Sequence, residues 1–332
     1  MKPKRRRTIK RAALLLLILP ALAILAAGVS LWMFWVGPGP TAQPVTLIVA
    51  QGSSVARVAE QLEQSGAIRG NATVFRGFAR LFGDHAPIQA GEFQLREGMS
   101  AAAILTHLQY GRPIQRLVTI PEGMPSVLVH ERLMRTEFLT GAIEVPPEGT
   151  VLPDTYSYRR GESRAALLER MQAAMRRELA RLWEQRSANI AVVSPEAAII
   201  LASIVEKETS KPSERRMVAG VYTNRLRRNM PLQADPTVIY PITRGRPLGR
   251  RIRLSELRAN NGYNTYASAG LPIGPIANPG RASIAAVLNP QPTSALYFVA
   301  DGTGGHAFAD TLEQHNANVQ RWYALRRARG EM

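Results

Sequence analysis

The chain has no cysteine among its 332 residues. That absence excludes disulfide bonds, a cysteine-ligated metal, a thiol nucleophile and a lipidated cysteine as a membrane anchor. The five histidines are scattered, and no two have the spacing of a metal-binding pair. The sequence also lacks a glycine-rich phosphate loop and a G-x-S-x-G nucleophile elbow. Carboxylates, amides and tyrosines remain as the groups that can do chemistry, and neither a metal nor a cofactor is predicted.

Negative charge is in short supply. There are 42 Lys and Arg residues against 25 Asp and Glu residues, which gives a net charge of +17. Seven of the basic residues lie within residues 1–11, where there is no acidic residue. Such an excess favours acidic partners, among them anionic lipid headgroups, wall polymers and nucleic acid. Nucleic acid is not a predicted partner, because no nucleic-acid-binding motif is present and the chain starts with an anchoring or export signal.

Residues 12–36 form an uncharged run of 25 residues, long enough to span a bilayer even when tilted. Trp32, Phe34 and Trp35 stand at its far end, where aromatic rings favour the membrane interface. The basic residues 1–11 predict a cytoplasmic tail, which places the rest of the chain outside the inner (plasma) membrane. A cleaved signal peptide is the alternative, although its apolar core would normally be shorter.

Two folded regions are predicted after the anchor. Residues 37–44 are rich in glycine and proline, cannot continue a helix, and are predicted to be a short linker. Residues 45–118 begin with the order strand, helix, turn, helix and resemble a LysM-like wall-binding module. Residues 119–332 are predicted to form a larger mixed catalytic domain. The predicted fold class is therefore α+β with a single N-terminal transmembrane helix.

The segment 197–209 has nine uncharged residues followed by Glu206, Lys207 and Glu208. An apolar run of this kind predicts a buried helix. A carboxylate at the end of such a helix is costly unless it is paired or faces a cleft, and burial favours its protonated form. Glu206 is therefore the candidate general acid; the alternative is a solvated Glu-Lys-Glu cluster. Glu208 lies well around the helix from Glu206 and is expected to be the structural partner of an arginine.

Polar side chains gather in the segments 232–240 and 260–280, and the second is a Gly/Pro-rich stretch of more than 20 residues. Loops of that length in a compact domain are more often functional than filler. Amides, hydroxyls and carboxylates suit sugar hydroxyl and acetamido groups, which take many neutral hydrogen bonds. The candidate substrate-binding or supporting residues are Gln233, Asp235, Thr237, Asn264, Tyr266 and Asn278.

Local roles compete with these functional ones. Asp235 could cap the backbone of a turn rather than orient Gln233 or a substrate hydroxyl. Asn264 and Tyr266 could make hydrogen bonds within their own loop rather than hold a sugar. His306, at the turn of a predicted hairpin, could approach the site or be solvated.

Six blocks carry a resemblance to a known family. They are Leu-Ala-Ser-Ile-Val-Glu-Lys-Glu-Thr (201–209), Asn-Arg-Leu (224–226), Leu-Gln-Ala-Asp-Pro-Thr-Val-Ile-Tyr (232–240), Tyr-Asn-Thr-Tyr (263–266), Gly-Leu-Pro-Ile-Gly-Pro-Ile-Ala-Asn-Pro-Gly (270–280) and Tyr-Phe-Val-Ala-Asp-Gly-Thr-Gly-Gly-His-Ala-Phe (297–308). Together, in this order, they resemble the YceG-like (MltG-type) endolytic murein transglycosylases. Two positions depart from the family pattern: Thr150 replaces an aromatic residue, and Ile273 replaces a proline.

The resemblance implies an enzyme that cuts peptidoglycan glycan strands in the periplasm. The bond between MurNAc and GlcNAc is broken without water, which leaves a 1,6-anhydro-MurNAc end. The family's catalytic glutamate falls on Glu206, and a LysM-like module is implied beside the catalytic domain. The resemblance also implies release or termination of nascent strands, with peptidoglycan synthases as candidate partners.

One carboxylate suffices for that reaction, whereas an ordinary glycosidase needs two. Glu206 would protonate the glycosidic oxygen and then take the proton of the sugar's own 6-hydroxyl. Two alternatives remain. A hydrolytic muramidase would use Asp235 as the base that activates water. A non-catalytic scaffold would be anchored in the membrane and grip glycan through the LysM-like module.

Overall fold

The computed structural model describes residues 4–331 of the chain, with side chains from residue 18 onwards. Residues 1–3 of the predicted basic tail lie outside the described residues, as do the side chains of residues 4–17. The described chain divides into two compact units. The first holds residues 4–116 and 159–161, and the second holds residues 117–158 and 162–331.

The first unit begins with helix α1 (Lys4–Val36). Its segment Ile18–Val36 is long and apolar enough to cross a membrane, and only 6% of it is buried within the protein. The exposed apolar side chains of this segment are what a lipid-facing helix requires. The last turn differs, because Trp35 is 4% exposed and packs into the core of the first unit.

The rest of the first unit is a two-stranded antiparallel sheet packed against three helices. Leu47 pairs with Phe93 in the sheet, and both side chains point into the core. The elements are β1 (Val45–Val49), α2 (Val55–Gln64), α3 (Ala72–Phe82), β2 (Gly91–Leu95) and α4 (Ala101–Tyr110). A polar side chain caps the start of each of these three helices. The LysM-like assignment of this unit stays a prediction.

Residues 37–44, between the anchor and β1, contain neither helix nor strand. Backbone hydrogen bonds to Gly98 hold them against the rest of the first unit. Gly39 N–H donates to the carbonyl of Gly98 at 3.0 Å, and Gly98 N–H donates to the carbonyl of Thr41 at 3.0 Å.

The second unit is mostly helical and carries two short sheets, β3 with β4 and β5 with β6. Its elements, with β3 starting at the last residue of the first unit, are β3 (Arg116–Ile120), α5 (Ser126–Arg135), β4 (Asp154–Tyr158), α6 (Arg164–Glu184), α7 (Pro195–Glu208), α8 (Arg215–Arg227), α9 (Asp235–Thr243), α10 (Leu254–Leu257), α11 (Arg281–Leu288), β5 (Tyr297–Ala300), β6 (His306–Ala309) and α12 (Leu312–Ala328). The predicted α+β fold class is confirmed.

Helix α7 is the central element of the second unit. The Ser194 side chain accepts a hydrogen bond from Ala197 N–H at 3.1 Å, and Pro195 occupies the first helical position. Leu201, Ala202 and Ile204 are completely buried among residues of α8 and α11. The buried helix predicted from the apolar run is therefore confirmed. Its C-terminal end carries Glu206 and Glu208.

Helices α9 and α10 are not predicted by the sequence patterns. The residue before α9 is Ala234, which makes no side-chain cap, and Pro241 lies inside the helix. Helix α9 forms because tertiary contacts bury Thr237 and Val238. The segment 260–280, by contrast, is irregular as predicted.

Ser203 fastens the irregular 270–280 segment to α7. Its hydroxyl donates to the carbonyl of Ile200 at 2.7 Å and accepts from Ile276 N–H at 3.0 Å, and the side chain is fully buried. We expect Ser203→Ala to lower the free energy of unfolding by about 1–3 kcal/mol, because a buried N–H loses its acceptor. Denaturant unfolding of the full chain in detergent measures this. Ser268→Ala, at an exposed position of the same irregular region, should change it by less than about 0.5 kcal/mol; equal losses would contradict the role of Ser203.

Candidate active site

A cavity of about 620 Å³ opens in the second unit where α7 ends. Its lining combines carboxylates, an amide, tyrosines and guanidinium groups with apolar and aromatic side chains, the latter contributed largely by β5 and α12. The lining residues are Glu208, Tyr222, Arg225, Leu232, Gln233, Asp235, Tyr266, Phe298, Val299, His315, Val319, Trp322, Tyr323 and Arg326. Three of the residues singled out in the sequence, Gln233, Asp235 and Tyr266, meet here.

Glu208, the last residue of α7, is the carboxylate that faces this cavity from the core. Its Oε1 accepts a hydrogen bond from the hydroxyl of Tyr222 at 2.8 Å, and Tyr222 itself is 1% exposed. Burial raises the pKa of Glu208 to about 7, against the smaller lowering effect of the Tyr222 hydrogen bond. Its side chain can therefore carry a proton near neutral pH. The expectation of an arginine ion pair at Glu208 is wrong within the described chain, since a tyrosine is its partner.

Asp235 and Tyr266 form a second polar pair at the cavity. The Tyr266 hydroxyl donates to Asp235 Oδ1 at 2.6 Å. Burial and this hydrogen bond both raise the pKa of Tyr266, so its hydroxyl stays protonated and keeps donating. Asp235 is the first residue of α9 rather than a turn cap. It is a hydrogen-bond acceptor held in place at the cavity wall.

Gln233 is held by the buried guanidinium of Arg225. Arg225 Nη1 donates to Gln233 Oε1 at 3.2 Å and to the carbonyl of Leu232 at 3.1 Å, while its Nε donates to the carbonyl of Leu296 at 2.7 Å. Gln233 has a positive φ of 53°, which is uncommon for a residue with a side chain. Its N–H donates to the carbonyl of Thr265 at 3.0 Å, which fixes that conformation. Arg225 is thus the positioning residue for the Gln233 amide.

Thr237 and Asn264 are buried residues that support the backbone of the site. Thr237 is completely buried and shares a hydrogen bond of 2.8 Å with the hydroxyl of Thr265. Asn264 is 3% exposed, and its Nδ2 donates to the carbonyls of residues 257 and 259 at 2.9 and 2.8 Å. Its Oδ1 accepts from Tyr266 N–H at 2.9 Å. Both residues therefore fix the loop that carries Tyr266 and do not line the cavity.

Asn278 lies in another part of the second unit. It is completely buried, and its Nδ2 donates to the carbonyl of Met124 at 2.9 Å and to Ser126 Oγ at 3.1 Å. Its Oδ1 accepts from Val151 N–H at 3.0 Å. These contacts join three distant chain segments. Asn278 does not line the cavity at Glu208.

Glu206 does not line that cavity either. Its side chain is 5% exposed, and both oxygens have partners: Gly280 N–H donates to Oε2 at 2.9 Å, and Arg215 Nη2 lies 3.6 Å from Oε1. Arg215 also pairs with Glu122 at 3.1 Å. Residues two positions apart on a helix point in nearly opposite directions. Glu206 accordingly ties α7 to the starts of α8 and α11, while Glu208 faces the cavity.

The prediction that His306 lies at the turn of the hairpin is wrong. His306 is the first residue of β6. Its Nδ1 lies 2.7 Å from Glu214 Oε2, and its N–H donates to Glu214 Oε1 at 3.1 Å. The side chain therefore closes the junction between the hairpin and the start of α8. It also borders a smaller cavity of about 310 Å³, which Glu208 shares.

Sequence reasoning missed Tyr222, Arg225 and the aromatic wall of α12. Tyr222 and Arg225 sit among buried residues of α8. Polar groups on the core face of a helix are the signal that could have identified them, because such groups require partners. The contribution of Trp322 depends on how α12 packs against β5 and β6 and has no local signature. Within the described residues, no group of three His, Asp or Glu side chains could hold a metal ion.

Known proteins that are similar to this chain identify its family. The sequence pattern of the YceG-like family matches residues 47–321. The chain belongs to the YceG-like family. A crystal structure of a YceG-like protein from Listeria monocytogenes is similar at 28% identity and a TM-score of 0.50, over 83% of this chain and 99% of that one.

Two curated relatives extend the comparison. The chain is 29% identical over 325 residues to a protein of Streptococcus pneumoniae (serotype 2, strain D39) and 28% identical over 312 residues to one of Bacillus subtilis (strain 168); both are named endolytic murein transglycosylase. The match covers 83% of this chain but 58% of the pneumococcal protein. It covers 84% of this chain and 84% of the B. subtilis protein. The chain thus spans somewhat more than half of the pneumococcal relative.

The raised pKa of Glu208 predicts a pH-dependent stability. The native state keeps the proton between roughly the ordinary value of 4.5 and about 7, whereas the unfolded chain loses it. The stabilising contribution is therefore present at low pH and is lost as the pH rises through that window. Glu208→Gln stays neutral. We expect its stability to fall less than that of the wild type between pH 5 and 8, by roughly 1–3 kcal/mol.

Unfolding curves measured at several pH values test this expectation. Glu196→Gln, in the first turn of α7, is the matched control. The pKa of Glu196 is lowered, chiefly by a backbone hydrogen bond, so its replacement should leave the slope above pH 5 unchanged. Parallel curves for the wild type and Glu208→Gln would show that Glu208 ionises as readily in the native state as in the unfolded chain.

Proposed function

We propose that this chain is a membrane-anchored endolytic lytic transglycosylase that acts on peptidoglycan. The observation that carries the proposal is the position of Glu208. A carboxyl group with a pKa of about 7 faces a cavity that also holds Gln233, Asp235 and Tyr266. The two curated relatives named endolytic murein transglycosylase support the reaction class. The product is a glycan strand that ends in 1,6-anhydro-MurNAc.

We assign the general acid to Glu208 rather than to Glu206, which the sequence favoured. The carboxylate of Glu206 already contacts Gly280 N–H and Arg215, and its side chain is 5% exposed. A substrate oxygen would have to displace those partners. Glu208 has one hydrogen-bond donor on Oε1, and its side chain borders the cavity. The open position of the Glu208 carboxyl at the cavity therefore makes it the better candidate, and its raised pKa suits the role of an acid.

The mechanism needs one carboxyl group used twice. Protonated Glu208 donates its proton to the glycosidic oxygen between MurNAc and GlcNAc as the bond from MurNAc C1 to that oxygen breaks. The 6-hydroxyl oxygen of the same MurNAc then bonds to C1, and the Glu208 carboxylate takes the hydroxyl proton. The anhydro ring is closed, the acid is restored and water is not consumed.

The cavity walls suit a glycan strand. Trp322 and Tyr323 present aromatic surface on which the apolar face of a sugar ring can pack. In the same cavity, the Gln233 amide and the Asp235–Tyr266 pair offer donors and acceptors for hydroxyl and acetamido groups. Thr237, Asn264 and Asn278 contribute by fixing the backbone rather than by touching the sugar. No cofactor is part of the proposal.

The predicted anchor supports a location of this chemistry at the membrane. Helix α1 supplies a single span, and the basic residues that precede it favour a cytoplasmic N-terminus and a periplasmic catalytic domain. An enzyme confined there meets glycan strands as they are made, so its cut releases or terminates them. Peptidoglycan synthases are the partners that this location favours.

Hydrolysis is the alternative reaction, because Asp235 lines the same cavity and could act as a base on water. Its Oδ1 is already occupied by the Tyr266 hydroxyl at 2.6 Å, which favours a binding role over a base. A binding scaffold without catalysis is the remaining alternative. The products of the reaction separate all three.

Muropeptide mass spectrometry of sacculi digested by the full chain tests the acid assignment. Glu208→Gln should lower the yield of anhydro ends by about 10²–10⁴-fold, the range for loss of a general acid. Glu196→Gln, on the exposed first turn of α7, should retain wild-type activity. Glu206→Gln should retain much more activity than Glu208→Gln, because its carboxylate holds α8 and α11 rather than the substrate.

Three results would contradict the proposal. A larger loss in Glu206→Gln than in Glu208→Gln would return the acid to Glu206. Reducing ends that carry oxygen from labelled water would show a hydrolase. An absence of new strand ends in the wild type, together with normal complementation of a deletion by Glu208→Gln, would show a scaffold.

A further inference from the structure

Helix α3 carries more apolar surface than the core of the first unit uses. Its core face is formed by Ala72, Phe75 and Ala79, all buried. A second set, here called the apolar stripe, runs along another side of the helix. The apolar stripe consists of Val74, Phe78, Leu81 and Phe82. Leu81 is 76% exposed and Phe82 is 55% exposed, a pattern that marks an interaction surface rather than a core.

The apolar stripe is continuous with the membrane-spanning segment of α1. The rings of Phe82 and Trp32 meet edge to face with centroids 5.8 Å apart, and those of Phe78 and Trp35 stack at 5.6 Å. A groove of about 530 Å³ lies between the two helices. Apart from Thr73 its lining is apolar or glycine: Gly28, Leu31, Trp32, Val74, Gly77, Phe78, Leu81 and Phe82.

The depth of this groove follows from the length of the anchor. The last charge before the span is at Arg11. About 20 helical residues at roughly 1.5 Å each cross the ~30 Å hydrocarbon core of a bilayer, and that count ends near Leu31. Trp32 therefore falls at the boundary between acyl chains and headgroups, where tryptophan is favoured. Phe82, in contact with Trp32, falls at the same depth.

Charge on α3 is segregated from this face. At roughly 100° per residue, Arg76 and Arg80 lie at least about 100° around the helix from every member of the apolar stripe. Both arginines are exposed. Backbone hydrogen bonds of Gly39 and Thr41 with Gly98 hold the segment after α1 against the rest of the first unit, which keeps the face with the apolar stripe beside the span.

We propose that the apolar stripe is a membrane-binding surface whose occupant is the acyl–headgroup boundary of the bilayer that α1 crosses. This rests on α1 being the membrane anchor of the proposed enzyme. The continuity of the stripe with the span, the aromatic contacts at Trp32 and the absence of charge on that face favour lipid over a second protein. The first unit is thus attached at two points, by the span and by α3, and lies on the bilayer at a fixed tilt.

The test uses the cysteine-free full chain in lipid nanodiscs that hold one copy each. Leu81→Cys carries an environment-sensitive fluorophore at an exposed position, so packing is undisturbed. Arg76→Cys, on the other side of the same helix, is the matched control. Ile24→Cys, at a 73% exposed position of the span, reports whether α1 is in the membrane. Quenching by doxyl groups on the lipid chains and by aqueous iodide is compared at all three positions.

The expected result is that lipid-borne doxyl quenches the label at Leu81 at least about threefold more than the label at Arg76, while iodide shows the reverse order. Equal quenching at Leu81 and Arg76, with strong lipid quenching at Ile24, would overturn the membrane-binding surface and leave the anchor intact. Weak lipid quenching at Ile24 would overturn the anchor itself. Protection of Leu81 that appears only when two copies share a disc would assign the apolar stripe to a dimer contact and overturn the proposal.

Discussion

The hydrogen bond between the Tyr222 hydroxyl and the Glu208 carboxyl, at 2.8 Å, links the buried core of the second unit to the candidate general acid. A carboxyl group at the end of a buried helix is unfavourable unless it is protonated or well solvated by the protein. Glu208 is buried and has the Tyr222 hydroxyl as its donor, and burial is the larger effect, so the pKa of Glu208 rises. Everything proposed for the cavity depends on that balance, because a fully solvated glutamate would be ionised and could not donate a proton at neutral pH.

The two glutamates of α7 show how one helix can serve structure and chemistry at the same time. Glu206 is bound by Gly280 N–H and Arg215, and through Arg215 it is linked to Glu122. Those contacts hold the starts of α8 and α11 against the end of α7. Glu208 points the other way, into the cavity whose walls these helices help to position. Loss of either residue would impair the proposed activity, but by different physical routes.

Local sequence signals predicted much of the fold. Ser54, Ser100, Ser163 and Ser194 begin helices because each side chain accepts a backbone N–H, which is a short-range interaction that the sequence displays directly. Helix α9 was not predictable in this way, since it lacks a side-chain cap and forms through burial of Thr237.

The candidate site was predicted in composition but not in geometry. Gln233, Asp235 and Tyr266 line one cavity. Asn264 and Asn278 are instead buried and make hydrogen bonds that fix the backbone. The choice between Glu206 and Glu208 is set by Tyr222 and by Gly280, the latter 74 positions from Glu206. No pattern within the helix encodes those distant partners, so the sequence alone does not decide which of the two glutamates faces the cavity.

The most direct measurement is a crystal structure of the chain with a bound oligosaccharide that ends in 1,6-anhydro-MurNAc. We predict that the oxygen of the anhydro bridge lies within hydrogen-bond reach, about 2.6–3.2 Å, of the Glu208 carboxyl, with the sugar between Gln233 and the aromatic residues of α12. An anhydro end seated against Glu206, or outside this cavity, would contradict it.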